Sequence, residues 1–317
     1  MDHAAIPKLA DLRVEGRRVL MRVDFNVPLD GDRITDDTRI RAALPSIRHI
    51  VERGGRLILM SHLGRPKGKP VPEFSLEPVA ARLAELLDAG EVALTDSCVG
   101  DGARRVCLDL RDGQVALLEN VRFHAGETAN DDHFARDLAA LGDAFVNDAF
   151  GAAHRAHAST VGIAAHLRDK AAGLLLEKEI RALGKLLGEV ERPYVAVLGG
   201  AKVSDKIGII ENLLGRVDAL VIGGAMANTF IAAGGGDIGD SLVEEDKLAL
   251  ARDLMARAES RGVQILLPVD AVVAEAPDAA ETRTTPADAV PAGFAAFDVG
   301  PASREGFKET IQRAGTV

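Results

Sequence analysis

Aromatic residues are scarce in this sequence: they make up 3% of the chain, with one Tyr and no Trp. Its core must therefore be built from Ala, Val, Ile and Leu, which suits parallel sheets covered by helices, where buried strands are aliphatic runs. Hydrophobic residues still reach 47% and charged residues 27%, as in globular proteins and unlike disordered ones. With 317 residues, the chain is long enough for two domains.

The sequence also has few cysteines, and its basic residues are fewer than its acidic ones. Cys98 and Cys107 are the only cysteines, which excludes a disulfide framework and fits a reducing compartment. Lys and Arg number 38 against 48 Asp and Glu, a net charge of −10, which disfavours nonspecific binding to nucleic acid or membranes. No apolar run is long enough to span a membrane, and the N-terminus lacks a signal-peptide pattern. We therefore expect a cytoplasmic protein without nucleic-acid or membrane partners.

Short aliphatic runs alternate with amphipathic stretches, which predicts parallel, doubly wound α/β sheets. The predicted strands form two sets, with a helix after Ser75 as its N-cap in the first. The first set is Arg18–Phe25, Arg56–Ser61, Gln114–Leu118 and Ala144–Asn147, and the second is Tyr194–Leu198, Ala219–Ile222 and Gln264–Leu267. Residues 276–292 are rich in Ala, Pro, Thr and Asp and are predicted to form a solvated loop.

The segment Gly173–Arg192 separates the two sets of strands. Four of its aliphatic residues fall on one helical face, and Pro193 follows it. These four are Leu176, Ile180, Leu183 and Leu187. We interpret residues 173–192 as a hinge helix between an N-terminal domain, residues 1–172, and a second domain, residues 193–317. A crossover helix within one large sheet is the alternative.

Polar residues follow every predicted strand of the first half, at the sheet edge where α/β proteins bind ligands. Four arginines occur there in turn, Arg39, Arg65, Arg122 and Arg155, with His62 and His154 nearby. One arginine after a strand is usually solvated. Four at one edge, however, suit bidentate binding of carboxylate and phosphate oxygens. We therefore predict a small, doubly anionic substrate for the first half.

Glycine pairs follow two predicted strands of the second half. The pair Gly199-Gly200 leads through Lys202 to Lys206 and a helical pattern, and a glycine turn that opens a helix favours phosphate binding. The two lysines are four residues apart, which predicts that they share a helix face. Two solvated lysines are the alternative, and no Walker A sequence occurs. After the next strand, Gly223-Gly224 leaves room for a flat base.

A dinucleotide-binding pattern, G-x-G-x-x-G, occurs at Gly234, Gly236 and Gly239. It follows a predicted helix, whereas the dinucleotide fingerprint directly follows a strand. We therefore expect a loop there, which disfavours a dinucleotide-dependent dehydrogenase.

Taken in order, these segments resemble phosphoglycerate kinase. The similar stretches are Arg22–Pro28, Asp36–Ile40, Ser61–Pro66, Glu119–Phe123, Asn147–Phe150, His154–His157, Leu198–Lys206, Ile222–Met226, Ser241–Leu242 and Asp298–Pro301. The resemblance implies two Rossmann-like domains, the first binding 3-phosphoglycerate and the second binding ATP or ADP with Mg²⁺. It also implies reversible phosphoryl transfer between ATP and the carboxylate of 3-phospho-D-glycerate, a step of glycolysis and gluconeogenesis that gives 1,3-bisphosphoglycerate.

The resemblance further implies roles for individual residues. The substrate site would consist of Asp24, Phe25, Asn26, Arg39, His62, Leu63, Gly64, Arg65, Arg122 and Arg155. The nucleotide site would consist of Gly199, Gly200, Lys202, Lys206, Gly223, Gly224 and Leu242. Catalytic charge would come from Arg39, Lys206 and Lys202, brought together by closure about the hinge helix. No metal ligand is assigned in this chain.

The family pattern continues beyond the position of Val317, with segments that contact the ribose and the metal. We therefore expect a truncated chain whose nucleotide domain is incomplete at its C-terminal end. An inactive fragment that keeps only 3-phosphoglycerate binding is the alternative to an active kinase.

Overall fold

The computed structural model describes residues 6–87, 92–188 and 190–317. The chain divides into two compact units, unit 1 from Met1 to Lys185 and unit 2 from Leu186 to Val317. The division falls inside the segment interpreted from the sequence as a hinge helix. Its function as a hinge stays a prediction.

Unit 1 is built from strands and helices that alternate along the chain. Its strands are β1 (Arg18–Arg22), β2 (Leu29–Asp30), β3 (Arg33–Ile34), β4 (Arg56–Met60), β5 (Ala93–Leu94), β6 (Val115–Leu117), β7 (Ala144–Asn147) and β8 (Lys170–Ala172). Its helices are α1 (Thr38–Val51), α2 (Glu77–Leu87), α3 (Asp101–Asp109), α4 (Ala125–Ala129), α5 (Asp132–Ala139), α6 (Phe150–Ala153), α7 (Ile163–His166) and α8 (Leu174–Leu187), the last reaching into unit 2.

Six of these strands form one parallel sheet, in the order β5-β6-β4-β1-β7-β8. Alternate residues of β1 pack on opposite faces: Leu20 joins one aliphatic cluster and Met21 joins the other. Because helices cover both faces, the strands read as continuous aliphatic runs. The predicted parallel, doubly wound sheet of the first half is confirmed. All six strands have their carboxyl ends at the same edge.

Some strands were predicted to extend further than they do. The strand predicted as Arg18–Phe25 ends at Arg22, because the Phe25 N–H group donates to the Ser61 hydroxyl, at 2.9 Å, instead of to a strand. Ser75 lies two residues before the start of α2. Its Oγ accepts the N–H of Glu77, at 3.2 Å, so it does bond to the first turn of that helix.

Unit 2 combines parallel and antiparallel sheets. Its elements are β9 (Val195–Leu198), α9 (Ile207–Leu213), β10 (Ala219–Ile222), α10 (Ala225–Ala233), β11 (Asp237–Ile238), α11 (Leu248–Ser260), β12 (Gln264–Leu266), β13 (Asp270–Ala274), β14 (Arg283–Pro286), β15 (Ala289–Val290), β16 (Ala295–Val299) and α12 (Pro301–Gln312). The parallel sheet has the order β12-β10-β9 and the antiparallel sheet the order β14-β13-β16. No helix in the described ranges is long and apolar enough to cross a membrane.

The solvated loop predicted for residues 276–292 is wrong, because that segment contains β14 and β15. The first pairs antiparallel with β13 and the second pairs with β11, and Ala287 and Val290 are buried. Proline and aspartate, which usually mark loops, misled the prediction. Pairing with other strands of unit 2 outweighs local preference in this segment.

The buried aliphatic core of the unit 1 sheet leads to a prediction about the free energy of unfolding. We expect Leu59→Ala to lower the free energy of unfolding by about 2–5 kcal/mol, because Leu59 in β4 is 0% exposed. Leu108→Ala on α3 is the matched control, since Leu108 is 53% exposed and its loss should change stability by at most about 0.5 kcal/mol. Urea unfolding followed by circular dichroism measures both. Equal losses in the two variants would contradict the assigned core.

Candidate functional site

Three of the four predicted arginines line one pocket at the carboxyl edge of the unit 1 sheet. Arg65, Arg122 and Arg155 surround a volume of about 500 Å³, together with Lys67 and His157. In the described part of the chain, none of the side chains of Arg65, Lys67, Arg122 and Arg155 is paired with a carboxylate. Such a concentration of uncompensated positive charge attracts a small anion.

Arg39, the fourth predicted arginine, lies in the first turn of α1 and is held by Asp24. Its Nη1 donates to Asp24 Oδ2 at 2.8 Å. Asn26 is fixed in turn, because its Oδ1 accepts the N–H of Gly64 at 2.8 Å. Asp24 thus ties the loop after β1 to α1, and Asn26 ties it to the loop after β4. We call Arg39, Arg65, Arg122 and Arg155 the arginine cluster.

Gly64 occupies a position that requires glycine. Its φ is +61°, and a Cβ atom would lie 2.4 Å from the ring of Phe74. The Gly64 carbonyl accepts from Arg122 Nη1 at 2.8 Å. The glycine therefore allows the loop after β4 to approach and orient one arginine of the cluster.

Two predicted substrate residues have their side chains in the core. Phe25 and Leu63 are buried in the aliphatic cluster on one face of the sheet. Only backbone atoms of these two residues are left to face a ligand. The Leu63 carbonyl is already bound, since it accepts from Asn120 Nδ2 at 2.8 Å.

His62, which the resemblance places in the substrate site, is neutral. Burial, followed by the charges of Arg22, Arg122, Arg155 and Arg39, lowers the pKa of His62 to about 2. His62 can therefore take part in the predicted site only as an uncharged hydrogen-bonding group. The other predicted histidine, His154, is exposed and does not line the pocket, whereas His157 does.

A set of buried polar residues beside the cluster was not predicted from the sequence. Arg22, Ser159 and Glu127 are all buried and joined by hydrogen bonds. One signal was available: Arg22 interrupts an aliphatic run that was predicted to be a buried strand. An arginine inside such a run needs buried partners.

A larger groove of about 720 Å³ lies elsewhere on unit 1, beside α1 and α2. Two of its arginines are already paired. Arg41 contacts Asp37 at 2.8 Å, and Arg82 contacts Asp37 at 2.7 Å and Glu85 at 2.6 Å. Because these charges are compensated, the smaller pocket of the arginine cluster is the better anion site.

In unit 2, the two predicted glycine pairs meet at the ends of adjacent parallel strands, β9 and β10. Gly224 has a φ of +68°, and a Cβ atom there would lie 2.9 Å from the Gly200 carbonyl oxygen. Side chains would force these turns apart. At Gly199 and Gly223, a Cβ atom would meet no heavy atom within 4 Å, so open space adjoins both.

Lys202 and Lys206 do not share a helix face, which corrects the prediction. The helix α9 begins only at Ile207, so both lysines lie in the β9–α9 loop. Glu244 holds this loop out of the helix, because its carboxylate accepts from the backbone N–H of Ser204, at 3.0 Å, and from its hydroxyl, at 2.6 Å. Neither lysine forms an ion pair with any residue in the described ranges.

The remaining predicted nucleotide residue, Leu242, is 60% exposed and precedes Glu244 by two positions. Its carbonyl accepts from Asn228 Nδ2 at 3.1 Å. The G-x-G-x-x-G pattern follows α10 and no strand, so the structural context of a dinucleotide fingerprint is missing. Within the described residues, no group of three or more His, Cys, Asp or Glu side chains could hold a metal ion.

Comparison with known proteins settles the family. The model of the phosphoglycerate kinase family matches residues 9–317. The chain is 55% identical over 317 residues to the phosphoglycerate kinase of Anaeromyxobacter sp. (strain Fw109-5), covering 99% of this chain and 80% of that relative. This chain belongs to the phosphoglycerate kinase family. The resemblance inferred from the motifs is confirmed.

Other phosphoglycerate kinases agree in sequence and in fold. The enzyme of Synechococcus elongatus is 56% identical over 314 residues, covering 98% of this chain and 78% of that relative. The solved phosphoglycerate kinase of Coxiella burnetii is 41% identical and superimposes with a TM-score of 0.86, covering 98% of this chain and 78% of that structure. These matches confirm the two-domain α/β fold and do not favour the alternative of an inactive fragment.

From the contact between Glu244 and Ser204 we predict how the free energy of unfolding depends on pH. Burial alone would raise the pKa of Glu244, but hydrogen bonds from Ser204 and Val203 lower it below 4.5, the ordinary value. The ionised Glu244 carboxylate therefore makes its full contribution to the free energy of unfolding above pH 4.5. This contribution is lost as the pH falls through the lower pKa of Glu244 in the folded state. We expect Glu244→Gln to lower the free energy of unfolding at pH 7 by roughly 1 kcal/mol or less, since the group is screened by solvent.

Urea unfolding between pH 3 and pH 7 measures this difference. The exposed neighbour Glu245 supplies the control, Glu245→Gln, which should match the unmodified chain. The deficit of Glu244→Gln should shrink as the pH falls below about 4.5. A deficit of the same size at pH 3 would rule out the carboxylate as its cause.

Proposed function

We propose that this chain transfers a phosphoryl group reversibly between ATP and the carboxylate of 3-phospho-D-glycerate, and that the arginine cluster holds the glycerate. The reaction is that of phosphoglycerate kinase, an ATP-dependent phosphotransferase of glycolysis and gluconeogenesis. The supporting observation is the pocket where Arg65, Arg122 and Arg155 meet, unpaired with any carboxylate in the described chain. 3-Phosphoglycerate carries both a carboxylate and a phosphate, and guanidinium groups bind either one bidentately.

The acceptor chemistry needs little from the protein beyond position and charge. A carboxylate is ionised at neutral pH, so no general base has to remove a proton. Catalysis then depends on holding the reactants in line and on neutralising the charge of the transferring group. Arg39 suits this role because Asp24 binds its Nη1 atom and thereby fixes the guanidinium, whose other N–H groups are left to donate.

We assign the nucleotide to the glycine turns of unit 2. Lys202 and Lys206 would neutralise its phosphates, and Gly199, Gly200, Gly223, Gly224 and Leu242 would surround the nucleoside. Support comes from the open space beside Gly199 and Gly223 and from the absence of ion pairs at the two lysines among the described residues. Arg39 and Lys206 lie in different units, so the reaction requires closure about residues 173–192, which also excludes water.

Magnesium is the proposed cofactor. In kinases this ion binds largely through the substrate phosphates and water, with one or two carboxylates. The described residues form no metal-binding cluster of their own, so we assign Mg²⁺ to the ATP complex and assign no residue of this chain to it. We further propose that the protein acts as a monomer in the cytoplasm.

The first functional prediction concerns the glycerate. Calorimetry should detect binding of 3-phosphoglycerate, and Arg65→Ala should weaken it by about 1.5–3 kcal/mol, the value of a hydrogen bond to a charged group. The matched control is Arg104→Ala, since Arg104 on α3 is exposed and lies outside the pocket. No heat from a folded chain, or equal weakening in both variants, would contradict the assigned site.

The second functional prediction concerns the catalytic role of Lys206. Lys206→Ala should lower kcat about 100-fold or more, because a preorganised charge acts on the transition state. Lys308→Ala is the control, because Lys308 is exposed on α12 and pairs with Glu305 at 3.1 Å. A coupled assay of ADP formation measures kcat. An unchanged kcat in Lys206→Ala would make Lys206 a solvated lysine, and no turnover in the unmodified chain would contradict the proposed reaction.

A further inference from the structure

Arg22 is a fully buried arginine at the end of the central strand β1. Burial removes hydration, so such a group needs hydrogen-bond acceptors and a counter-charge. Three acceptors surround it. Nε donates to Ser159 Oγ at 2.8 Å, Nη1 donates to the Val23 carbonyl, and Nη2 lies 3.0 Å from His62 Nδ1.

The counter-charge is Glu127, which is also fully buried. Its Oε1 accepts the Ser159 hydroxyl at 2.7 Å and its Oε2 accepts the Ser159 N–H at 2.9 Å. Burial alone would raise the pKa of Glu127, but His157, whose Nδ1 lies 3.6 Å from Oε1, the hydrogen bonds from Ser159 and the charge of Arg22 lower it, so the carboxylate is ionised. The Ser159 hydroxyl thus links the two buried charges, accepting from Arg22 and donating to Glu127.

This link determines where the proton of His62 sits. A guanidinium has N–H donors and no acceptor, so His62 Nδ1 must accept from Arg22. The neutral ring then carries its proton on Nε2. No hydrogen-bond partner of Nε2 exists among the residues that the structure describes. The charged groups that act on the ring are Arg22, Arg122, Arg155 and Arg39, all cations, which oppose a second proton.

We propose that Glu127, acting through Ser159 and Arg22, is a positioning residue that fixes His62 in the neutral Nε2–H tautomer, ready to donate one directed hydrogen bond to the anion in the arginine cluster. The arginines supply charge, and His62 supplies a donor that does not change with pH in the neutral range. The identity of the anion, 3-phosphoglycerate, rests on the proposed function. The tautomer does not, because it belongs to the free chain.

Nuclear magnetic resonance tests the tautomer directly. In the ligand-free 317-residue chain labelled with ¹⁵N-histidine, the His62 signals, assigned with His62→Gln, should show unprotonated Nδ1 and protonated Nε2. They should stay unchanged from pH 5.5 to 8, while free imidazole in the same buffer titrates. A proton on Nδ1, or a ring that titrates in this range, would overturn the proposal even if 3-phosphoglycerate binds. Failure of wild-type binding would overturn the proposed function and leave the tautomer result intact.

Ser159→Ala tests the link to Glu127. We expect mixed His62 tautomers and an affinity for 3-phosphoglycerate that falls about 10-fold. Ser46→Ala is the matched control, since Ser46 is equally buried, its Oγ accepts from Leu174 N–H at 2.8 Å, and it makes no hydrogen bond to Arg22, Glu127 or His62 in the described contacts. It should leave the His62 signals and the affinity unchanged.

Two further outcomes show whether Glu127 positions the ring of His62. If Ser159→Ala fails to fold, Ser159→Cys keeps most of the side-chain volume and weakens both hydrogen bonds, and the same shift of the His62 signals is expected. His62 signals that stay at their wild-type positions in a folded Ser159 variant would show that Glu127 does not position the ring.

Discussion

Parallel strand pairing in unit 1 is the constraint on which the candidate site depends. The backbone ladder aligns β5, β6, β4, β1, β7 and β8, so that all six carboxyl ends share one edge. Residues far apart in sequence, such as Arg65, Arg122 and Arg155, reach one pocket only because the strands before them are parallel. Without that alignment, the arginines would be ordinary solvated side chains.

The positive charges at this edge of the sheet are unfavourable to one another unless a bound anion neutralises them. Burial, followed by the charges of Arg155 and Arg22, lowers the pKa of Arg122, although Glu127 and Asp24 oppose this. The protein compensates Arg22 with a buried carboxylate and leaves the pocket-lining arginines without one. We propose that a ligand supplying negative charge binds to a site that is already assembled and thereby stabilises the folded state.

Local sequence patterns predicted much of the fold and part of the site. Aliphatic runs marked the core strands, because strands covered on both faces must be apolar throughout. The same reasoning missed β14 and β15, which are specified by pairing with β13 and β11, and it placed Lys202 and Lys206 on a helix that begins only at Ile207. It also could not show that His62 is neutral, since the burial and the neighbouring cations that keep it so exist only in three dimensions.

The central claim is that the arginine cluster is the glycerate site, and a crystal structure with bound 3-phosphoglycerate tests it most directly. The account predicts carboxylate or phosphate oxygens within hydrogen-bond distance of Arg65, Arg122 and Arg155, with His62 Nε2 also donating to the ligand. Density for the ligand in the larger groove beside Arg41 and Arg82 instead, with the arginine cluster empty, would contradict it.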